Sequence, residues 1–180
     1  MTILDSDDRP ISRRKSLFRT TSRGNSIVAL VVILVITIDQ ITKHWAVSQL
    51  GDGRVIDVVW TLRFNLAFNS GMAFGRGRGW GPVIGVIAMM VVVALVLSIR
   101  RQNDSRMSLA VGLVVAGALG NIIDRLFRNE GWLRGEVVDF IDFQWFPIFN
   151  VADSAVNIGG AVFVVWTMLS PRHASSTEES

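Results

Sequence analysis

Residues 80–99 read WGPVIGVIAMMVVVALVLSI, an apolar run that contains no charged side chain. About 20 such residues are enough to cross the hydrocarbon core of a bilayer as an α-helix. Outward from this run, three more apolar segments approach the same length, at about 27–45, 107–123 and 149–169. The pattern predicts an all-α polytopic membrane protein with four transmembrane helices.

The overall composition agrees with a membrane protein. Half of the 180 residues are hydrophobic and 18% are charged, against roughly 25% charged in soluble domains. The chain has no cysteine and two histidines, which excludes disulfides, thiolate zinc sites and a cysteine nucleophile. The net charge is only +3 and the basic residues gather beside apolar runs, so we expect no nucleic-acid partner.

The distribution of Lys and Arg predicts the orientation of the helices. Six of these residues precede the first helix, and the second connection and the C-terminal tail bring that side to ten, against seven in the other two connections. By the positive-inside rule both termini are cytoplasmic, and residues 46–79 and 124–148 lie on the outer side. We expect the tails, 1–26 and 170–180, to be flexible and residues 27–169 to form the membrane domain. A cleaved signal peptide is the competing interpretation of residues 1–45, but no small-residue cleavage site follows the long apolar run cleanly.

The outer connections contain strand-like patterns. Apolar and polar residues alternate over 54–64, which is typical of a half-buried strand. The second outer connection contains EVVDFIDFQWF at 136–146, whose aromatic residues suit an interfacial belt as well as a strand. We therefore expect a small extramembrane β-element on the outer side.

Two polar stripes lie at the outer ends of the third and fourth helices. Their members follow helical spacing: Asn121, Asp124 and Arg125 on the third helix, and Asn150, Asp153, Ser154 and Asn157 on the fourth. Asp124 and Asp153 are thereby placed at similar depth, where they can face one another. A pair of carboxylates in a partly dehydrated place tends to share one proton, with one acting as base and the other as acid in peptide hydrolysis.

Other interpretations of the polar residues stay open. Asp124 with Arg125 could be an interfacial ion pair, and Asp153 could bond Asn150 for helix packing. Asp139 and Asp142 compete for the catalytic role, although their alternation with apolar residues suits a strand or loop surface.

Other catalytic types fit the sequence less well. A Ser/Lys dyad would require Lys43 without an obvious serine partner, and a Ser-His-Asp triad would require His44 or His173. Carboxylate-only binding of a hard cation is a further alternative.

Five ordered motifs resemble those of lipoprotein signal peptidase, also called signal peptidase II, a family of bacterial membrane aspartic endopeptidases. They are DQITK at 39–43, FNSGMAFG at 68–75, GNIIDRL at 120–126, VVDF at 137–140 and FNVADSA at 149–155. Together they are specific, whereas any one alone is weak. The resemblance covers about 27–169 and leaves the basic segment 1–26 outside.

The resemblance implies a function and a set of site residues. Such enzymes remove the signal peptide from lipid-modified prolipoproteins, cutting before the lipidated cysteine at the outer face of the cytoplasmic membrane, without metal or cofactor. Asp124 and Asp153 match the catalytic pair. The expected substrate-binding residues are Asn69, Asn121, Arg125 and Asn150, and the expected supporting residues are Asp39, Lys43 and Asp139. The expected partners are prolipoproteins and membrane lipids, and the chain is expected to act as a monomer.

Besides the peptidase hypothesis, two weaker hypotheses about function and one structural interpretation fit the sequence. Intramembrane carboxylates also occur in transporters and proton relays, but four helices without an inverted repeat fit these poorly. A membrane scaffold is the third hypothesis. Asp39 and Lys43, spaced i, i+4, are expected to form a structural ion pair that closes the end of the first helix.

Overall fold

Four helices and three strands make up the part of the chain that the computed structural model describes, namely residues 20–71, 80–99, 104–128 and 131–169. In chain order the elements are α1 (Thr20–Leu50), β1 (Ile56–Val59), β2 (Leu62–Asn69), α2 (Gly81–Ile99), α3 (Ser105–Phe127), β3 (Val137–Asp142) and α4 (Val151–Leu169). Of the flexible tails predicted at 1–26 and 170–180, residues 1–19 and 170–180 lie outside the described residues, as does the end of the FNSGMAFG motif at 72–75.

Each helix includes a segment long and apolar enough to cross a membrane. These segments are Ser26–Leu50, Gly81–Ser98, Arg106–Phe127 and Val151–Leu169. The helices thus match the four predicted spans in number and order within the described residues.

α1 is longer at both ends than the predicted 27–45. Residues 20–26, expected in the flexible tail, are helical, because adding residues to an existing helix costs far less than starting one. At the other end the helix continues to Leu50, since Ala46 and Leu50 are buried against the sheet. It stops at a turn in which Gly53, at φ +87°, donates its N–H to the Leu50 carbonyl.

The bounds of α3 and α4 differ from the predicted ones for local reasons. α3 begins after Asp104, whose side chain accepts the N–H of Arg106, and it runs past the predicted residue 123 to Phe127. α4 begins at Val151 instead of residue 149. Phe149 is held outside the helix because it pairs with Ile141 in an antiparallel β-bridge.

The three strands form one antiparallel sheet in the order β1-β2-β3. β3 pairs with β2 through Arg63↔Asp142 and Asn69↔Val137, so the predicted strand patterns at 54–64 and 136–146 belong to the same sheet. A bulge lies between Asp57 and Val59 on β1.

The sheet rests on the last turns of α1. Ala46 and Leu50 share a buried cluster with Val138 and Phe140 of β3. The ring of Trp45 meets that of Phe64 edge-on, with 5.2 Å between centroids. The β-element is thereby fixed at the end of α1 where the polar residues gather.

α3 and α4 approach closely because glycines lie between them. A Cβ at Gly117 would overlap the carbonyl oxygen of Ala152, and one at Gly159 would be 2.6 Å from that of Ala110. Small residues of this kind let membrane helices pack backbone against backbone.

We predict that Gly117→Ala destabilises the protein and Gly160→Ala does not. A methyl group at Gly117 overlaps the Ala152 carbonyl, whereas one at Gly160 meets nothing within 4 Å. The loss in the free energy of unfolding is expected to be about 1–3 kcal/mol for Gly117→Ala, measured by denaturant unfolding in detergent. Equal stabilities of the two variants would contradict the close packing of α3 on α4.

Candidate active site

A buried cluster of charges joins α1 to α3. The Lys43 Nζ lies 2.9 Å from Asp39 Oδ2 and 2.8 Å from Asp124 Oδ2, and the three side chains are fully buried. The same ammonium donates to Asn121 Oδ1 at 2.9 Å. Since an unpaired buried charge is very costly, these contacts hold the two helices in one register.

Asp124 is surrounded by donors. Besides Lys43, its carboxylate accepts from Arg128 Nε at 2.6 Å, Gln40 Nε2 at 3.2 Å and the backbone N–H of Val138 at 3.2 Å. Two cations and two neutral donors satisfy both oxygens away from solvent. This carboxylate connects α3 to α1 and β3.

The Asp39–Lys43 pair is present, but it does not close the helix end as predicted. α1 continues beyond Lys43 to Leu50, because the charges are satisfied by other helices and do not need water. Asp39 Oδ1 accepts the N–H of Ala152 at 2.9 Å. The pair therefore connects α1 to the first turn of α4 as well as to α3.

Asn150 and Asp153 cap the start of α4 reciprocally. Asn150 Oδ1 accepts the Asp153 N–H at 2.9 Å, and Asp153 Oδ2 accepts the Asn150 N–H at 3.1 Å. This is the geometry of a capping box. A carboxylate in the first turn is also favoured by the helix dipole. Asp153 Oδ1 accepts from Asn121 Nδ2 at 2.8 Å, and the residue remains half-buried.

Asp139 lies on β3 beside this cap. Its carboxyl group accepts from Asn150 Nδ2 at 2.6 Å and Asn69 Nδ2 at 3.2 Å, and 3% of the residue is exposed. Burial first, and the neighbouring Asp153 carboxylate second, raise the pKa of Asp139 to about 7, against the lowering effect of the two amides. Near neutral pH this carboxyl group is close to half protonated.

The polar stripes predicted on α3 and α4 meet at Asn121. Asn121 bonds Asp153, and its Oδ1 also accepts from Asn150 Nδ2 at 3.2 Å. Asp124 instead bonds Lys43 of α1. Residues that are three positions apart in a helix differ by about 60° around its axis. Side chains of one stripe can therefore contact two different neighbouring helices. The structure brings Asp153 together with Asp139 through Asn150, and it places Asp124 in the Lys43 cluster.

Arg125 borders all three carboxylates. It is 5% exposed and interacts electrostatically with Asp139, Asp124 and Asp153. Its Nη2 donates to the Gly71 carbonyl at 3.3 Å, and its Nη1 is buried without a partner among the described residues. Arg125 therefore has a spare donor beside the acidic groups.

The remaining predicted residue, Asn69, uses both ends of its amide within the protein. Its Nδ2 donates to Asp139 and its Oδ1 accepts the Gly71 N–H at 3.1 Å. Asp142, which was also weighed for catalysis, accepts from Arg63 and Asn65 at the far end of β3. In the sequence Asp139 differs from Asp142 by lying in the VVDF motif, and Val137, Val138 and Phe140 of that motif are buried in the structure.

Comparisons with known proteins agree on one family. Residues 31–169 match the model of the family described as signal peptidase (SPase) II. A lipoprotein signal peptidase from Mycobacterium tuberculosis is 41% identical over 136 residues, which cover 75% of this chain and 67% of the relative. One from Bifidobacterium adolescentis is 39% identical over 145 residues, covering 80% and 77% respectively.

Solved structures of bacterial membrane enzymes have the same fold. One, determined by the in meso method at 2.3 Å resolution, has a TM-score of 0.72 and 30% identity, covering 86% of this chain and 95% of its own. Another, at 1.9 Å, has a TM-score of 0.70 and 31% identity, covering 81% and 95%.

We predict that Lys43→Met strongly destabilises the protein. The substitution leaves Asp39 and Asp124 buried without their shared cation, a change that typically costs about 3–5 kcal/mol. Arg54→Ala is the matched control, because Arg54 pairs with Asp52 on the surface and such pairs contribute about 0–1 kcal/mol. The measurement is denaturant unfolding of both variants in detergent. A Lys43→Met variant as stable as the parent would show that the cluster is not needed for folding.

We also predict a pH dependence of stability that Asp139 causes. Between about pH 4 and pH 7 the folded protein keeps a proton that the unfolded chain has released, so the free energy of unfolding falls as pH rises. The fall is expected to reach at most about 4 kcal/mol and to be complete above the folded-state pKa. Asp139→Asn, which mimics the neutral carboxyl group, should remove it, as unfolding curves at several pH values would show.

Asp142→Asn is the control for this pH experiment. At Asp142 burial is outweighed by hydrogen bonds from Asn65, Arg63 and Gln144, which lower the pKa of the carboxyl group. This variant should keep the loss of stability toward pH 7. An unchanged pH profile in Asp139→Asn would assign the dependence to another group.

Proposed function

The chain belongs to the signal peptidase II family, and we propose that Asp139 and Asp153 are the pair that carries out its peptidase chemistry. The protein is a multi-pass membrane endopeptidase that processes prolipoproteins, removing the signal peptide before the lipidated cysteine. The catalytic pair proposed from the geometry differs from the pair predicted from the sequence, because Asp139 takes the place of Asp124.

The observation that supports this proposal is that two neighbouring carboxyl groups, those of Asp139 and Asp153, have different surroundings. Asp153 caps the N-terminus of α4, where a negative charge is favoured. Asp139 is buried against it, with a pKa raised to about 7. Near neutral pH Asp139 is therefore protonated in about half of the molecules, and in that form it supplies the proton that acid–base hydrolysis of a peptide bond needs.

The two groups then divide the chemistry between them. Asp153, half-buried at the start of α4, takes a proton from a water molecule as the water oxygen attacks the carbonyl carbon of the scissile peptide. Asp139 gives its proton to the carbonyl oxygen, forming a neutral tetrahedral diol. When the C–N bond breaks, Asp153 passes its proton to the leaving nitrogen and Asp139 recovers one from the diol.

Asp124 is poorly suited to this role. Lys43, Arg128, Gln40 and Val138 already occupy its oxygens. Taking a proton from water would break contacts to two cations in a buried cluster. We propose that Asp124 positions α3, together with the supporting pair Asp39 and Lys43.

The substrate-binding residues expected from the resemblance divide into two groups. Arg125 has an unpartnered Nη1 among the described residues, so we propose that it binds a substrate carbonyl or the developing oxyanion. Asn69, Asn121 and Asn150 use their amides on Asp139 and Asp153. We propose that they orient the pair and contact substrate only secondarily.

The site lies at the end of the bundle where α1 and α3 finish and α2 and α4 begin. The basic segment before α1 supports cytoplasmic termini, so we propose that the site is at the outer face. A lipidated substrate would enter there sideways from the surrounding membrane lipids. Because every proposed group comes from one chain, we propose that the monomer is active.

We predict that Asp139→Asn and Asp153→Asn abolish cleavage of a diacylglyceryl-modified prolipoprotein while leaving a folded protein. Neither amide can exchange the proton that the reaction needs. The measurement is cleavage by the purified variants in lipid, normalised to the folded fraction. Loss of at least about 1,000-fold is expected if each group takes part in proton transfer.

Asp124→Asn is the discriminating control. It breaks the contact with Lys43 and Arg128, so it should lower thermal stability while the remaining folded protein still cleaves. If folded Asp124→Asn is inactive and Asp139→Asn retains activity, the originally predicted pair is correct and the proposed one is not.

A further inference from the structure

One end of the sheet presents five large apolar side chains away from the protein. Val58, Val59 and Trp60 are 48%, 66% and 94% exposed, and Trp145 and Phe146 are 71% and 49% exposed. We call these five residues the apolar sheet end. A concentration of exposed apolar surface of this kind usually marks an interaction site.

Trp60 occupies a turn position whose backbone conformation favours a smaller residue. It is in the two-residue turn that joins β1 to β2, since Val59 pairs with Leu62. Its φ is +52°, a conformation that favours glycine and is unusual for a bulky side chain. With most of its ring exposed, Trp60 gains little packing in return for that strain.

The bulge in β1 adds to the same surface. Asp57 pairs with Arg63 and Val59 with Leu62, so Val58 is the extra residue that no β2 residue opposes. A bulge redirects the side chains around it. Val58 and Val59 are both exposed as a result.

A second loop is bonded to this turn and completes the apolar end. Gln144 Nε2 donates to the Thr61 carbonyl at 3.0 Å, and the Gln144 N–H donates to Asp142 Oδ1 at 2.6 Å. Gln144 has φ +68° and precedes Trp145. Trp145 and Phe146 contact each other at 6.0 Å between ring centroids. Because Gln144 is bonded to Thr61, the two loops are held together at this end of the sheet.

The sheet lies immediately beside the membrane-spanning helices. It packs on Ala46 and Leu50 at the end of α1. On the other side, Phe146 is five positions before Val151, the first residue of membrane-spanning α4, a distance of at most about 18 Å of extended chain. The apolar sheet end thus lies close to the membrane-spanning part of the protein.

Both basic residues between positions 51 and 69, Arg54 and Arg63, are already paired with carboxylates. Arg54 pairs with Asp52 at 2.9 Å, and Arg63 with Asp142 at 2.8 Å. A surface that attracted anionic headgroups would instead present unpaired basic residues. The chemistry fits the neutral interfacial layer, where tryptophan is favoured because its ring is apolar and its N–H is polar.

We propose that the apolar sheet end inserts into the headgroup layer of the adjacent leaflet and binds zwitterionic phospholipid. The two loops then act as a second anchor in addition to the helices. β3 carries Asp139 and is hydrogen-bonded to β2, so the anchor sets the height of this strand relative to the membrane. The anchor goes beyond the peptidase chemistry and does not depend on which carboxylates are catalytic.

The absence of cysteine from the sequence makes a direct test convenient. Full-length Trp60→Cys and Trp145→Cys would each carry a nitroxide spin label and be reconstituted into phosphatidylcholine vesicles at low protein-to-lipid ratio. The control is Asp52→Cys, whose native side chain is exposed and charged. Collisions with oxygen, which concentrates in lipid, and with a water-soluble nickel chelate then report the depth of each label.

We expect labels at 60 and 145 to lose nickel access and gain oxygen access relative to the label at 52, without change when salt is added. Equal nickel access at all three positions would overturn the proposal. Shielding from both reagents, with dipolar broadening between labels, would identify a second copy as the partner and overturn it too. Shielding that needs added prolipoprotein would do the same in favour of the substrate. Prolipoprotein cleavage, measured separately, tests the peptidase assignment alone.

Discussion

The buried ammonium of Lys43 joins the polar residues of α1 to those of α3 on which the site is built. It would be prohibitively costly to bury alone, and it is tolerated because Asp39 and Asp124 contact it from α1 and α3. Arg128 adds a second cation at Asp124, so that two positive and two negative charges balance. Lys43 and Arg128 thereby hold the Asp124 carboxylate in place between α1 and α3.

The ammonium also determines how the amides are oriented. Since Lys43 donates to Asn121 Oδ1, the Asn121 NH₂ must point the other way, to Asp153. Asn150 donates to the same Asn121 oxygen and to Asp139. A charge in α1 thereby fixes the donors around both proposed catalytic carboxylates, although its own partners are Asn121, Asp39 and Asp124. The network explains why a charged cluster and an active site are adjacent in one small bundle.

Much of the architecture could be predicted because it follows from local patterns. Helix number follows from the length of the apolar runs, and β1 and the start of β2 follow from the alternation over 54–64. The ends of α1 could not be predicted in the same way. Asp39 and Lys43 resemble a polar helix end when read along the chain, yet their partners lie on α3 and α4, and Ala152 is 113 positions from Asp39. The free-energy cost of burying a charged residue in a membrane protein depends on such distant partners.

Contacts between distant segments also decide which of Asp124, Asp139 and Asp153 form the proposed catalytic pair. Spacing showed that Asn121 and Asp124 share a face of α3, but a face about 60° wide borders both α1 and α4. Only the packing decides that Asn121 meets Asp153 and that Asp124 meets Lys43. Asp139, in turn, looked like a strand residue because it is one, on β3. It becomes chemically distinct because α4 begins beside it, so that one acid receives the favourable field of a helix end and its neighbour receives burial and amide donors. The proposed division of the two carboxyl groups into a base and an acid therefore follows from placing a strand against a helix N-terminus, which no single segment of the sequence displays.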